Sequence, residues 1–275
     1  MTTRRPCGRR PRPTRRGRAA LSVAAAGLVL AGAVLVPSLL HTELAGAATL
    51  VVPEGWRAAQ VYEAVDRALG EPPGTARRAA ATAARHLPPE ARGNPEGYLF
   101  PATYPVDATT TPAGLLARMV DTANRRFTAD PITAGARRGG MSVYETVGVA
   151  SIVQAEAATA EDMGKVARVI RNRLARGMPL QMDSTLNYAL RRSTIDTTVA
   201  DTRIDSPYNS YARKGLPPTP IDNPGDQALR AAIDPPPGEW LFFVTVTPGD
   251  TRFSTTYTEH LRHVADFNAR RASTL

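Results

Sequence analysis

In the stretch ASIVQAEA, residues 150–157, Glu156 is the one carboxylate among apolar and small neighbours. On a helix turning about 100° per residue, Val149, Ile152, Val153 and Glu156 fall on one narrow stripe. Val143, Val147, Ala150 and Gln154 form a second stripe, and only Tyr144, Glu145 and Ser151 read as residues for water. A carboxylate carried among valines loses hydration, which disfavours its charged form and raises its pKa. A carboxylic acid kept protonated near neutral pH is what general acid catalysis needs. The same spacing allows a plainer arrangement, in which Glu156 points to solvent at the end of its helix or pairs with Arg168 or Arg171.

The elements that must position this acid are legible in outline. Ser142 and Glu145 have the spacing of a capping box, which predicts a helix from Val143 to about Ala157. A second helix is predicted over 160–176, stopped by Gly177, and another around 112–127. Upstream, TLVVPEGWRAAQVYEAVDRALG (49–70) reads as a short strand, a Pro-Glu-Gly turn and an amphipathic helix packing through Ala59, Val61, Tyr62 and Val65. TARRAAATAARHL predicts one more helix, PPEARGNP a loop, and EGYLFPATYPV (96–106) an extended segment pinned by prolines. Downstream, Asn223 and Pro224 are predicted as N-cap and first residue of a helix ended by Pro235. WLFFVTVTPGDTRFST reads as a hairpin around Pro248–Asp250, and Thr256 with Glu259 as the cap of a final helix reaching about Arg270. Helices and strands mix without βαβ regularity, so the fold class is α+β.

The net charge of +9 over 275 residues first suggests nucleic acid, but residues 1–18 hold eight arginines and no acid, which leaves +1 for the rest. The folded part is therefore near neutral, and no nucleic-acid partner is expected. Residues 19–40 carry no charge and, at about 20 residues per span, are long enough to cross a bilayer as a helix. The arginine flank would hold the N-terminus in the cytoplasm. A cleaved signal peptide is the alternative, with Ala45–Ala47 as a small-residue cleavage site. In both cases the chain beyond residue 48 is exported. Cys7, the single cysteine, lies in the tail, so the exported part has no disulfide or Cys-ligated metal. The expected division is a basic cytoplasmic tail (1–18), a transmembrane anchor (19–40), a small module with linker (49–93) and a larger domain (94–275). The protein is expected as a single-pass protein of the cell membrane, its larger domain on the extracytoplasmic side.

EGYLFPATY, ASIVQAEA, KVARVIRNRLARGMPLQMDST, SPYNSYARKGLPPTPIDNPG and FSTTYTEH occur in the order and spacing of the endolytic murein transglycosylases, the YceG-like family. The chain resembles that family over residues 94–267. The resemblance implies a mixed α+β catalytic domain behind a transmembrane helix and a LysM-like module, here shortened within 49–93. It implies an enzyme that cuts nascent peptidoglycan glycan strands between N-acetylmuramic acid and N-acetylglucosamine without adding water. The product carries a 1,6-anhydro-muramyl end, and cleavage helps terminate strand elongation. No cofactor is implied. The family's catalytic glutamate lies in the block matching ASIVQAEA, where members often carry two glutamates two positions apart. This chain has Gln154 at the first position and Glu156 at the second, so only Glu156 ionises, and it is the expected catalyst. Ala102 stands where the family usually has Asp, which leaves that strand a role in shape. One acid is enough for this chemistry. An ordinary glycosidase needs two carboxylates, but here the nucleophile is the substrate's own C6 hydroxyl, present at high effective molarity.

Further candidates lie in the other blocks. Glu96 and Tyr98 could line a sugar groove, or serve as a turn acid and a packed aromatic. Gln181, Asp183 and Ser184 follow the Gly177 break, where a loop could meet the cleft; Asp183 reads as an acid behind Glu156 or as a helix cap. Tyr208, Asn209 and Tyr211 suit stacking on and hydrogen bonding to sugars, and Asn223 reads as a cap first and a ligand second. His260 and His263 with Glu259 have a spacing compatible with metal, but no third partner is placed and no metal is expected. Arg168, Arg171, Arg173 and Arg176 are expected as a solvated face that attracts acidic stem peptides. Two rival functions remain: a hydrolytic muramidase using Asp183 as second carboxylate, and a non-catalytic envelope scaffold that recruits cell-wall synthases. Such synthases are also the candidate protein partners of the enzyme.

Overall fold

The computed structural model describes residues 48–194 and 197–272. The basic tail, the uncharged 19–40 stretch and the Ala45–Ala47 site lie outside the described residues. Among the described residues, no helix is long and apolar enough to cross a membrane.

The chain opens with β1 (Ala48–Val51), α1 (Ala58–Leu69) and α2 (Thr75–Ala83), then β2 (Thr103–Val106) and α3 (Pro112–Phe127). α4 (Asp130–Arg138), α5 (Val143–Glu156), α6 (Ala160–Ala175), α7 (Asp183–Ala189) and α8 (Asp226–Ile233) come next, before the hairpin β3 (Phe242–Thr247) and β4 (Asp250–Ser254) and the closing α9 (Tyr257–Ala272). The described residues from Thr49 onward form one compact unit. β1 pairs with β2, and β3 pairs antiparallel with β4 from Phe242 opposite Ser254 to Thr247 opposite Asp250. The mixed α+β class therefore holds.

Two apolar clusters hold these elements. Leu50, Val61, Val65, Leu99, Tyr104, Leu115, Leu116 and Met119 bind β1, α1, β2 and α3 together. Here α1 packs through Ala58, Val61, Ala64 and Val65, while Ala59, expected in the contact, is exposed. α2 begins at Gly74, which has no side chain to cap with. Buried Asp66 of α1 supplies the acceptor instead, taking the N–H groups of Gly74 and Ala76 at 2.7 Å each.

The second cluster centres on α5, which is buried from Thr146 to Val153 and packs against α6 and α8 through Val149, Ile152, Val153, Val166, Ile170 and Leu229. A helix apolar on all sides has to sit in the middle of a domain. Truncating a fully buried side chain such as Ile152 to Ala would cost about 2–5 kcal/mol. Its start is the predicted capping box: Ser142 Oγ accepts from the Glu145 N–H at 3.1 Å and Glu145 Oε2 from the Ser142 N–H at 2.8 Å. Ser151, read as a residue for water, is instead buried, donating to Gly148 O at 2.8 Å and accepting from the Ile221 N–H at 3.0 Å.

Two further expectations are corrected. Asn223 does not cap α8: the helix starts two residues later, with Gly225 at the N-cap position. The Asn223 side chain is buried and turned elsewhere, accepting from the Leu99 N–H and donating to Trp56 O, both at 2.7 Å. The arginines of α6 are not a solvated face either. Arg168 donates to the carbonyls of Pro235 and Pro236, Arg171 to Gly139, and buried Arg173 to Pro179, Leu180 and Leu241. Only Arg176 of the four keeps to the surface, paired with Glu239. The loop before α8 reaches its place by close packing. Gly97 has φ +84°, and a Cβ there would lie 2.5 Å from Pro220 Cβ, so glycine alone fits.

Candidate active site

Glu156 is the last residue of α5. Ala157 turns extended (φ −139°, ψ 142°), which ends the helix and leaves the Glu156 side chain at its C-terminal rim. The negative end of the helix dipole works against a carboxylate there. Glu156 Oε1 accepts from the Ser184 N–H in the first turn of α7 at 3.1 Å. Burial pushes its carboxyl above the ordinary range, hydrogen bonding from Ser184 pulls it back, and the Asp183 charge pushes it up again; the net direction is upward. Neither Arg168 nor Arg171 pairs with it, since both are committed to backbone carbonyls.

Asp183 stands behind Glu156 as the first helical residue of α7, after Met182 in the N-cap position. Its Oδ1 accepts the Tyr211 hydroxyl at 2.5 Å. Burial, then this bond, raise the Tyr211 phenol, so that it remains a proton donor. Asp183 is thereby oriented beside Glu156.

These groups open onto a cleft of about 1170 Å³ whose wall includes Glu156, Gln181, Asp183 and Tyr211, together with Gln154, Arg57 and Asp222. Gln154 holds the wall together, its Oε1 accepting from the Gly225 N–H at 3.0 Å. Gln181 reaches Arg173, taking an N–H at 3.1 Å.

The other candidates lie off this wall. Tyr98 is buried against Phe127 and Tyr144, with ring centroids 5.2 and 6.0 Å away. Asn209 is buried and shapes its own loop, donating to Thr202 O and Ile204 O and accepting from the N–H groups of Tyr211 and Ala212. Tyr208 packs tilted against Tyr188, ring centroids 4.8 Å apart, and shares a hydrogen bond with the Thr219 hydroxyl at 2.9 Å. Glu96 is buried, accepting from the Ala58 N–H at 2.8 Å and the Tyr188 hydroxyl at 3.1 Å. Burial pushes it up to about 7. Asn223 ties the approach to α1 to the Leu99 segment through its two buried hydrogen bonds.

Arg173 and Asp222 are among the wall residues that escaped the sequence reading. Arg173 had a signal, since Val166, Val169, Ile170 and Arg173 share one helical stripe. Asp222 lies beside Asn223 and is 3% exposed, with Oδ1 unpartnered; burial and the nearby Glu96 charge raise it well above the carboxylate range. Among the described residues, no three His, Cys, Asp or Glu side chains gather closely enough to hold a metal ion.

The arrangement offers a weakly acidic carboxyl, Glu156, in the cleft, fixed by a neutral donor and backed by the oriented Asp183, with buried Asp222 on the same wall. Comparison with known proteins points the same way. An endolytic murein transglycosylase of Bacillus subtilis is 36% identical over 166 residues, covering 60% of this chain and 46% of that protein. One of Streptococcus pneumoniae is 36% identical over 182 residues, covering 64% of this chain and 33% of that protein. The chain thus spans less than half the length of these curated relatives. A crystal structure of a YceG-like protein from Listeria monocytogenes superposes with a TM-score of 0.69 at 28% identity, over 83% of this chain and 79% of that one. Residues 32–266 match the model of the YceG-like family, and the chain belongs to that family.

Proposed function

We propose that this chain is an endolytic lytic transglycosylase acting on peptidoglycan glycan strands, with Glu156 as its catalytic acid and base. The observation that carries the reading is the placement of Glu156 in the cleft, raised above the ordinary carboxylate range and held by the Ser184 N–H. Protonated, it gives its proton to the glycosidic oxygen between N-acetylmuramic acid and N-acetylglucosamine as that bond breaks. As carboxylate, it takes the proton from the C6 hydroxyl, which closes on C1 to form the 1,6-anhydro end. Burial keeps the acid weak enough to hold its proton, the Asp183 charge adds to this, and Tyr211 keeps Asp183 in place. The hydrolytic alternative would need a second, ionised carboxylate to activate water; Asp183 is occupied by the Tyr211 hydroxyl, and Asp222 on the same wall is pushed well above the ordinary range by burial.

The test is to digest purified glycan strands and weigh the products. Anhydro ends support the proposal, reducing ends the hydrolase, and intact strands the scaffold.

The finer organisation belongs to the same proposal. Residues 19–40 anchor the chain in the cell membrane with the catalytic residues 94–275 outside, where nascent strands and cell-wall synthases meet it. Residues 49–93 are a shortened LysM-like module; the β1–α1–α2–β2 order supports this, with the closing strand lent by residues 103–106. Blotting membrane fractions for a tag at residue 2 tests the anchor: loss of the tag from membranes would overturn it.

A further inference from the structure

Helix α9 has no buried residue, yet one of its faces is rich in rings. Tyr257, His260, Val264 and Phe267 recur at spacings of three and four and so share one side of the helix. All four line the cleft that holds Glu156, and Phe242 of β3 lines it beside them. Phe242 lies 5.3 Å from the His260 ring, nearly parallel at 21°, and 5.6 Å from the Tyr257 ring. Tyr257 remains 60% exposed. Arg173 joins this wall to the acid's surroundings: its guanidinium lies 5.1 Å from the Phe242 ring centroid and donates to Gln181 Oε1.

Apolar faces turned into an open groove recover about 25 cal/mol per Å² when something covers them. From the reading of Glu156 as catalyst, on which this inference rests, the occupant of the groove is a polymer continuous with the bond being cut. From Tyr257 to Phe267 the helix rises about 15 Å, more than one sugar ring needs. A pyranose has apolar C–H faces and a polar rim, and aromatic rings with one polar edge match both. We propose that the α9 face formed by Tyr257, His260, Val264 and Phe267, together with Phe242, is a subsite that binds consecutive rings of a β-1,4-linked aminosugar strand away from the scissile bond. His260 suits the role as a neutral ring, its pKa lowered by burial and then by Arg173 and His263.

The experiment uses the full chain with Glu156→Gln, so that strands stay uncut, and measures calorimetric affinity for peptide-free glycan strands, short and long. Tyr257→Ala and Phe267→Ala should each weaken long-strand binding about 5- to 10-fold and shrink the long-to-short affinity ratio. Tyr257→Phe should keep both. Tyr257 is exposed, so its truncation leaves the fold in place even if Phe267→Ala does not. Unchanged long-strand affinity in the Tyr257→Ala chain would overturn the subsite. An equal loss on short and long strands, or no binding by the Glu156→Gln chain, would do the same. Failure of the transglycosylase reading shows separately, as absence of anhydro ends from digests by the unaltered chain.

Discussion

Glu156 Oε1 and the Ser184 N–H meet at 3.1 Å, so the last residue of α5 is gripped by the first turn of α7. A neutral donor fixes the carboxyl's direction without stabilising its charge as strongly as an arginine would. The acid is oriented and still holds its proton.

Glu156→Gln keeps the shape and a hydrogen-bond acceptor for Ser184 but removes the transferable proton. Release of anhydro-ended fragments should fall about 10²- to 10⁴-fold, with an unchanged circular dichroism spectrum and melting temperature. Activity surviving near the original rate would remove Glu156 from the mechanism.

Asp183→Asn tests the charge behind the acid. The Asp183 charge raises the Glu156 pKa, so its removal lowers that pKa. An acid catalyst works while protonated, so the alkaline limb of kcat/KM should move to lower pH. Asn still offers an oxygen to the Tyr211 hydroxyl, so the geometry survives. A limb that stays put or moves to higher pH contradicts this electrostatic role.

Glu96 gives a stability signature. Burial, opposed by the Ala58 N–H, the Tyr188 hydroxyl and Arg57, lifts it from 4.5 to about 7. The folded chain therefore holds this proton more tightly than the unfolded chain does. Its contribution is complete below about pH 4.5 and is lost as pH rises towards about 7, a total of about 3 kcal/mol. Asp222, also raised, adds its own slope in the same direction. In Glu96→Gln the urea midpoint should fall less between about pH 5 and pH 8 than in the unaltered chain. An equal or larger fall would show that Glu96 ionises freely in the fold.

Asn223→Ala strands the Leu99 N–H in a buried setting and removes one of the two donors to the Trp56 carbonyl, which keeps the residue-223 N–H at 3.0 Å. An unmet buried group costs about 1–3 kcal/mol, so the melting temperature should drop by several degrees. A shift too small to measure would mean that water replaces the amide.

The sequence exposed the features that are local. α3, α5, α6 and the β3–β4 hairpin follow from caps, breakers and helical period, all within a few residues of one another. The Glu156 stripe was legible for the same reason. Asn223 was misread because its partners lie 124 and 167 residues away, so only the nearby helix offered an explanation. Arg173 sits on an apolar stripe that was there to be seen, but an arginine on a helix reads as solvated until its carbonyl partners are known. α7 has seven residues, too few to show a period. The ring-bearing face of α9 has its period in plain view, and only the fold reveals that it looks into the cleft.

β2 has β1 as its neighbour in a two-stranded sheet. A chain begun at residue 94 would present that strand with an empty edge, beside Leu99, Tyr104 and Met119 stripped of their cover. Such an edge invites self-association, visible as high-mass species on gel filtration. Recombination that exchanged the amino-terminal piece would have to bring a strand of matching register to cover that edge.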